Sequence, residues 1–395
     1  MKISFIITSF NVAPYIAQCL DSLKGCVRPG DEVILVDDGS SDHTDLLAEK
    51  RFAKGFGPDV ATQLVLLGTN TIGGVGIPAN VGLAHATREA VFFVDGDDWM
   101  EPAGFRTCRA AFDATKPDIL IGNYLEHDEA TGKVKSPSDI HRWANLPGPD
   151  AALDAVRMLA LSMIAVPWRK FYRRDFLQAH SLCFPEGDFF FEDNPFHWQV
   201  CRTAQTIRFH DAVLCRHRMN RPGQTMASTG TEFLAFFDHY VTICSTIAPD
   251  DTVLQTAALE WLVNNMSWQI GRMNPGVFWA YAARAAQVLE GKEALWSSLR
   301  NRYPATAIGG MVEALVRGQI AGTVAAWMAD RTLQSVVEVN GRIDYLLWGG
   351  EPVGTPDLPK RIAQMSDHLQ ALHLIEEFRA LQALDAADTM PQATI

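Results

Sequence analysis

The stretch "FFVDGDDWMEP", residues 92–102, decides how this chain is read. An apolar run ends in Asp95, Asp97 and Asp98, with Gly96 between the first two acids. Ionised carboxylates this close repel one another and raise each other's pKa. A buried strand that ends in such a group has a use for a cation there, and for an anion behind it. Mg2+ and Mn2+ prefer oxygen ligands, and Mg2+ is commonly held by one or two carboxylates together with substrate phosphates. A lone Asp-x-Asp would read equally well as a solvated turn, so its surroundings have to decide.

Those surroundings alternate strand and helix. "KISFIITSF", "EVILVDDGS", "TQLVLLG" and "AVFFVDGDD" are β-rich apolar runs. Between them lie helical stretches, "APYIAQCLDSLKGC" with Ile16, Cys19, Leu20 and Leu23 on one face, "SDHTDLLAEKRFAK", and "PANVGLAHAT". This order predicts a parallel sheet with helices on its faces. Ligands of such sheets bind beyond the carboxyl ends of the strands. "ITSFN", "LVDDGS" and "FVDGDD" therefore meet at one edge. Asp37 and Asp38 can accept hydrogen bonds there from a nucleobase N–H or from ribose hydroxyls, while Ser40, Ser41 or Asp42 suits a helix cap. "GGVGIPA" (73–79) imitates a dinucleotide fingerprint, with Asp95 at about the expected distance downstream. That alternative, a Rossmann-type oxidoreductase, is disfavoured. The glycines do not follow their strand directly, Pro78 stands where the phosphate-cradling helix would begin, and the first strand has no glycine.

Further along, the pattern gives a helix (103–115), a strand "DILIGNY", a polar loop (126–149) and a helix (150–165). "FFFEDNPF" (189–196) sets Glu192 and Asp193 among aromatics, where burial raises a carboxyl pKa toward the range of a general base. Asp193 also suits a helix N-cap ahead of Pro195. "WRKFYRR" (168–174) and "CRHRMNRPGQT" (215–225) are local basic patches in an acidic chain. Trp168, Lys170, Arg216, Arg218 and Arg221 are their candidates for holding a phosphate or an acceptor. His217 can complete a metal shell or serve structurally. From 229 onward helical periodicity dominates and Trp is frequent, at Trp261, Trp268, Trp279, Trp296, Trp327 and Trp348. "GGEPVGTPDLPK" (349–360) reads as a linker. In 361–395, Ile362, Met365, Leu369 and Leu372 stand at near-heptad spacing, which suits a short coiled coil, a docking helix or a helix packed on its own domain.

The chain has 395 residues, 48% hydrophobic, and a net charge of −12. That is enough for a large core and two or three domains, and it argues against a nucleic-acid binder, which needs a basic footprint. The seven cysteines are odd in number and include no CxxC, so they read as free thiols of a reducing compartment. The start, "MKISFIITSF", runs straight into a strand pattern without a signal peptide, and "MLALSMIAV" is too short to span a bilayer. The expected location is cytoplasmic, with room for peripheral contact at the inner face of the plasma membrane.

Taken in order, "FIITSFN…PYIAQCLDSL…DEVILVDDGSSD", "N…GL" and "VFFVDGDDW" resemble the nucleotide-binding half of family 2 glycosyltransferases, the inverting GT-A enzymes. "WRKFYRRDFLQAHSLCFPEGDFFFEDNPF" is similar to the acceptor-side segment of bacterial members, and "RMNRPGQT" to their late Arg-rich loop. The resemblance covers residues 1–228. It implies a GT-A fold, a Rossmann-like nucleotide-binding sheet flanked by helices, here followed by an α-helical C-terminal domain. The expected divisions are 1–228 (1–100 for the nucleotide sugar, 101–228 for the acceptor), 229–348, the linker 349–360, and 361–395. It implies that Thr8, Phe10, Asn11 and Asp38, with Asp37 and Asn80, line the nucleotide site. Asp95 and Asp97 become the DxD motif, with Asp97 on Mn2+ or Mg2+ and Asp95 toward ribose or the donor sugar. Asp193, beside Glu192, becomes the base for an acceptor hydroxyl. The chain departs from the family where Ala79-Asn80 stands in place of Arg-Asn. The implied reaction moves a sugar from a nucleoside-diphosphate sugar, UDP-linked first, to a saccharide or lipid-linked acceptor in surface polysaccharide, lipopolysaccharide or glycolipid synthesis. A homodimer through the C-terminal helices fits the same reading. The competing reading is a non-catalytic scaffold of this fold, which predicts that Asp193→Asn and Asp97→Asn leave function intact.

Overall fold

The computed structural model describes residues 1–348 except 149, 222, 225–228 and 304–306. The expected linker and C-terminal helix, 349–395, lie outside the described residues. The chain divides into a compact unit Met1–Met328 and a second unit, Ala329–Ile395.

Four strands form the predicted parallel core: β1 (Ile3–Ser9), β2 (Glu32–Asp37), β3 (Ala61–Leu66) and β4 (Ala90–Asp95). They lie side by side as β3-β2-β1-β4, joined by α1 (Ala13–Ser22), α2 (Thr44–Phe52) and α3 (Gly76–His85). Strands β1 and β2 are buried along their whole length because helices cover both faces. Alternate residues feed two cores. Phe5, Ile7, Val33 and Leu35 enter one, and Ile6, Ile34 and Val36 the other. The register matters for function: Thr8 pairs with Asp95 across β1 and β4, and Ser9 with Asp37 across β1 and β2. Three strand ends therefore come level at one edge.

Beyond β4 the sheet becomes mixed. After β5 (Trp99–Met100) and α4 (Pro102–Thr115) come β6 (Ile119–Asp128), β7 (Val134–Lys135), α5 (Leu153–Ser162), β8 (Lys170–Arg173), α6 (Arg174–Ala179), α7 (Asp193–Thr203) and β9 (Ile207–Met219). The nine-stranded sheet continues β4-β8-β6-β9-β5, with β7 on β6. β8 is antiparallel to both β4 and β6. The stretch "WRKFYRR" is thus mainly interior strand: Phe171 and Tyr172 fill the two cores, and Arg169 and Lys170 are fully buried. Arg169 is compensated by Asp139 at 2.6 Å and the Gly122 carbonyl at 3.0 Å, and Lys170 by the carbonyls of Ala165 and Val166 at 3.1 and 2.6 Å.

The rest is helical: α8 (Ala235–Ser245), α9 (Thr252–Ile270), α10 (Phe278–Leu289), α11 (Glu293–Leu299), α12 (Ala307–Val316) and α13 (Ile320–Trp348). One apolar core runs from Ile6 and Phe93 under the sheet through Phe196 and Tyr240 to Leu262 and Trp327. No helix among the described residues is long and apolar enough to cross a membrane.

Candidate active site

At the first strand end, Asn11 adopts a left-handed backbone, φ 51°. Its N–H donates to Ser40 Oγ at 2.9 Å, and its Oδ1 accepts from Ser41 N at 2.8 Å. Asp37 accepts from Ser9 Oγ (2.8 Å), Ser40 N (2.9 Å) and Ser40 Oγ (2.7 Å). These bonds lock the loops after β1 and β2 together. Asp38 accepts from the amide and hydroxyl of Thr71, both at 3.0 Å. Burial raises its pKa, and the Thr71 bonds resist that rise. Gly39, at φ 71°, has no room for a Cβ because the Thr69–Asn70 backbone presses against it. Thr8 is buried beside this edge, and the Phe10 ring is 41% exposed above it. Asn80 stands apart from the strand ends. Its Oδ1 accepts from Phe184 N (2.9 Å), and its amide donates to the Phe184 carbonyl (2.9 Å) and to Glu186 (2.8 Å).

At the end of β4, ligand atoms of Asp95, Asp97 and Asp98 lie within 4.8 Å of one another. Gly96 N–H donates to the Thr8 carbonyl at 2.9 Å, which turns the chain so the acids converge. Asp98 is a fastener: its oxygens accept from His217 Nδ1 at 3.0 Å and Arg218 N at 2.7 Å, bringing β9 to the cluster. Arg218 also donates through Nε to the Asp97 carbonyl (2.8 Å) and through Nη2 to Gln18 (2.7 Å), and pairs with Glu129. Its guanidinium lies 4.5 Å from the Tyr15 ring and 4.8 Å from Trp99. Arg221 pairs with the Asp97 carboxylate. The Asp95 carboxylate has no hydrogen-bond partner among the described residues. Burial, then the charges of Asp98 and Asp97, raise its pKa well above the ordinary value. Burial disfavours a charged His217, yet Asp98, Asp97 and Asp95 together push its pKa up to about 9. An all-oxygen set that draws cationic side chains onto itself fits a hard divalent cation.

His217 links this cluster to a cavity of about 840 Å3. Its ring stacks on Trp168, centroids 5.0 Å apart, and both line the cavity with Asp193. Asp193 opens α7 after Phe191, which adopts a left-handed φ of 65°. Its Oδ1 accepts from Asn194 Nδ2 at 3.0 Å, and Asn194 Oδ1 accepts from Trp261 Nε1 at 3.2 Å, so α9 braces this turn. Burial raises the Asp193 pKa, and the charge of Lys170 restrains it. Glu192 turns the other way. Its Oε1 accepts from Gly76 N at 2.6 Å, and a Cβ on Gly74 or Gly76 would collide with it. Burial lifts the Glu192 pKa to about 7. The glycines of "GGVGIPA" thus receive a carboxylate and the 187–189 backbone at close range, which is what their missing side chains are for.

The basic candidates separate. Lys170 points inward, away from any anion site, and burial lowers its pKa to about 7. Arg216 pairs with Glu101 and is 31% exposed. Arg218 and Arg221 are at the acidic cluster. Sequence reasoning passed over Asp98 as a fastener, Thr71 as the partner of Asp38, and the α9 wall of the cavity. The third acid of "DGDDW" and the run of tryptophans were the visible signals for the first and last.

Residues 4–181 match the sequence model of the family described as "Glycosyl transferase family 2". The uncharacterized glycosyltransferase EpsJ of Bacillus subtilis is 29% identical over 219 residues, covering 55% of this chain and 61% of EpsJ. The poly(ribitol-phosphate) beta-N-acetylglucosaminyltransferase TarS of Staphylococcus aureus is 29% identical over 230 residues, 58% of this chain and 37% of TarS. The match thus spans less than two thirds of each of these relatives. In structure, TarS 1–349 in complex with UDP-GlcNAc superposes with a TM-score of 0.65 at 20% identity, over 84% of this chain and 92% of that one.

Proposed function

We propose that the chain is an inverting glycosyltransferase, a reading supported by the match of residues 4–181 to the family 2 glycosyltransferase model and by the fold shared with TarS 1–349. It moves a sugar from a nucleoside-diphosphate sugar, UDP-linked first, to a hydroxyl of a saccharide or lipid-linked acceptor in surface-polysaccharide synthesis, at the cytoplasmic side of the membrane. One observation carries the reading: His217 hydrogen-bonds the acidic cluster at the strand ends and lines the same cavity as Asp193.

In this reading Thr8, Phe10, Asn11 and Asp38 hold base and ribose, the Thr71 bonds of Asp38 giving way to the ligand. Asp37 and Asn80 act through the loops they fasten. Asp97 and Asp95 would hold Mn2+ or Mg2+, which would supply positive charge near the diphosphate. Arg218 and Arg221 bring further positive charge to the same edge. Asp193 takes the proton of the acceptor hydroxyl as that oxygen attacks the anomeric carbon from the face opposite the leaving diphosphate. Its raised pKa strengthens it as a base. Trp168 shapes the floor on which the acceptor lies.

The test is nucleoside-diphosphate release from UDP- and GDP-sugars, with and without Mn2+, in the presence of a bacterial polysaccharide fraction. The reading expects metal-dependent release that Asp193→Asn abolishes while donor binding survives. Equal release by Asp193→Asn contradicts it.

A further inference from the structure

The cavity beside Asp193 is walled on its far side by groups the transfer chemistry does not use. On α9, Trp261, Asn264, Asn265 and Trp268 stand at positions i, i+3, i+4 and i+7 and line it along one stripe. Trp261 and Trp268 are only half-buried and stand two helical turns apart, roughly 10 Å along the axis. The polar loop also lines the cavity, through Ser136, Ser138 and Arg142. That loop is rigidly seated. Asp139 is 3% exposed, ion-pairs with the fully buried Arg169, and accepts from Ile164 N at 3.0 Å. Arg142 N in turn donates to the Asp139 carbonyl at 2.9 Å.

Part of the charge on these walls is paired within the chain. Lys135 is paired with Glu126 at 3.1 Å, and Arg302 with Glu260. Arg142 has no carboxylate partner among the described residues, and its Nε is buried without a hydrogen bond. A guanidinium left so costs free energy until an anion reaches it. Arg272 also lines the cavity, its guanidinium 4.7 Å from the Trp268 ring centroid.

Building on the glycosyltransferase reading, we propose that this cavity is the acceptor subsite and that the acceptor is an anionic saccharide. Sugar rings lie against Trp261 and Trp268, amides of Asn264 and Asn265 meet ring hydroxyls, and Arg142 receives a phosphate or carboxylate carried by the chain. The mix of indole surface with few polar groups is that of a specific small-ligand site.

The experiment uses the full chain and follows tryptophan fluorescence during titration with three tetrasaccharides: neutral maltotetraose, a phosphorylated maltotetraose and a glucuronate-containing tetrasaccharide. An anionic probe is expected to bind ~10-fold tighter than the neutral one, and whichever does so distinguishes phosphate from carboxylate. Arg142→Gln should erase that preference and Arg142→Lys should keep part of it. A role of Arg142 in folding alone would shift thermal stability without changing the preference. Equal binding of charged and neutral probes, an unchanged preference in Arg142→Gln, or no binding of any probe overturns the proposal. A thermal-shift panel of UDP, GDP and CDP, each with Mn2+, is run in parallel. The absence of a shift with all three, together with selective tetrasaccharide binding, would remove the transferase reading and leave the anionic-saccharide site standing.

Discussion

The turn after β4 and the turn before α7 use adjacent acids in the same way. In Asp97-Asp98, Asp98 fastens β9 to the sheet edge through His217 and the Arg218 amide, while Asp97 stays at the cluster. In Glu192-Asp193, Glu192 fastens the turn to Gly76, while Asp193 lines the cavity. The regions differ in what surrounds the second acid. Asp97 is met by a cation of the chain itself, Arg221. Asp193 is met by the Asn194 amide, with Lys170 acting only from within the core. The comparison teaches that in each pair of neighbouring acids one fastens a loop while the other is left at the acidic cluster or the cavity.

Breaking this division should give graded effects. The largest falls on the facing acid at α7: Asp193→Asn should lower turnover about 10^3-fold with unchanged donor affinity, measured by steady-state kinetics beside nucleotide titration. Next is the fastener at β4. Asp98→Ala leaves the His217 charge buried without its partner and should cost about 3–5 kcal/mol in chemical denaturation. Asp98→Asn should cost less. The fastener at α7 gives a pH signature. Glu192 has its pKa raised from 4.5 to about 7, so the folded state binds the proton more tightly. That contribution is complete below pH 4.5 and is lost as pH rises through about 7, about 3 kcal/mol in all. Glu192→Gln should flatten the slope between those pH values with little change in turnover. The smallest effect belongs to the brace: Trp261→Phe removes the indole N–H donated to Asn194 and should cost about 1 kcal/mol. If Glu192→Gln abolished turnover and Asp193→Asn did not, the division would be reversed.

Much of the sheet could be read directly because buried parallel strands appear as continuous apolar runs, and β1, β2 and β4 do. Their ends bring Thr8, Asp37 and Asp95 level, as the alternation of strand and helix implied. β8 was hidden because "WRKFYRR" carries basic residues that local patterning assigns to a surface. Arg169 is buried only because Asp139, 30 positions earlier, reaches it. The fasteners were unreadable for the same reason. Asp98 acts on a residue 119 positions away and Glu192 on one 116 away. The tryptophans of α9 were conspicuous in the sequence, but which face they turn to the cavity depends on how α9 packs on α8 and α11.

The central claim is that the acids at the end of β4 receive a nucleoside diphosphate through a divalent ion. Thermal unfolding of the full chain with UDP, GDP, CDP and NADH, each with and without Mn2+, tests it most directly, since a ligand of the folded state raises the unfolding temperature by mass action. The account predicts a shift with one nucleoside diphosphate that needs Mn2+, disappears in Asp97→Asn and persists in Asp193→Asn. A shift with NADH alone, indifferent to metal and to Asp97→Asn, would contradict it.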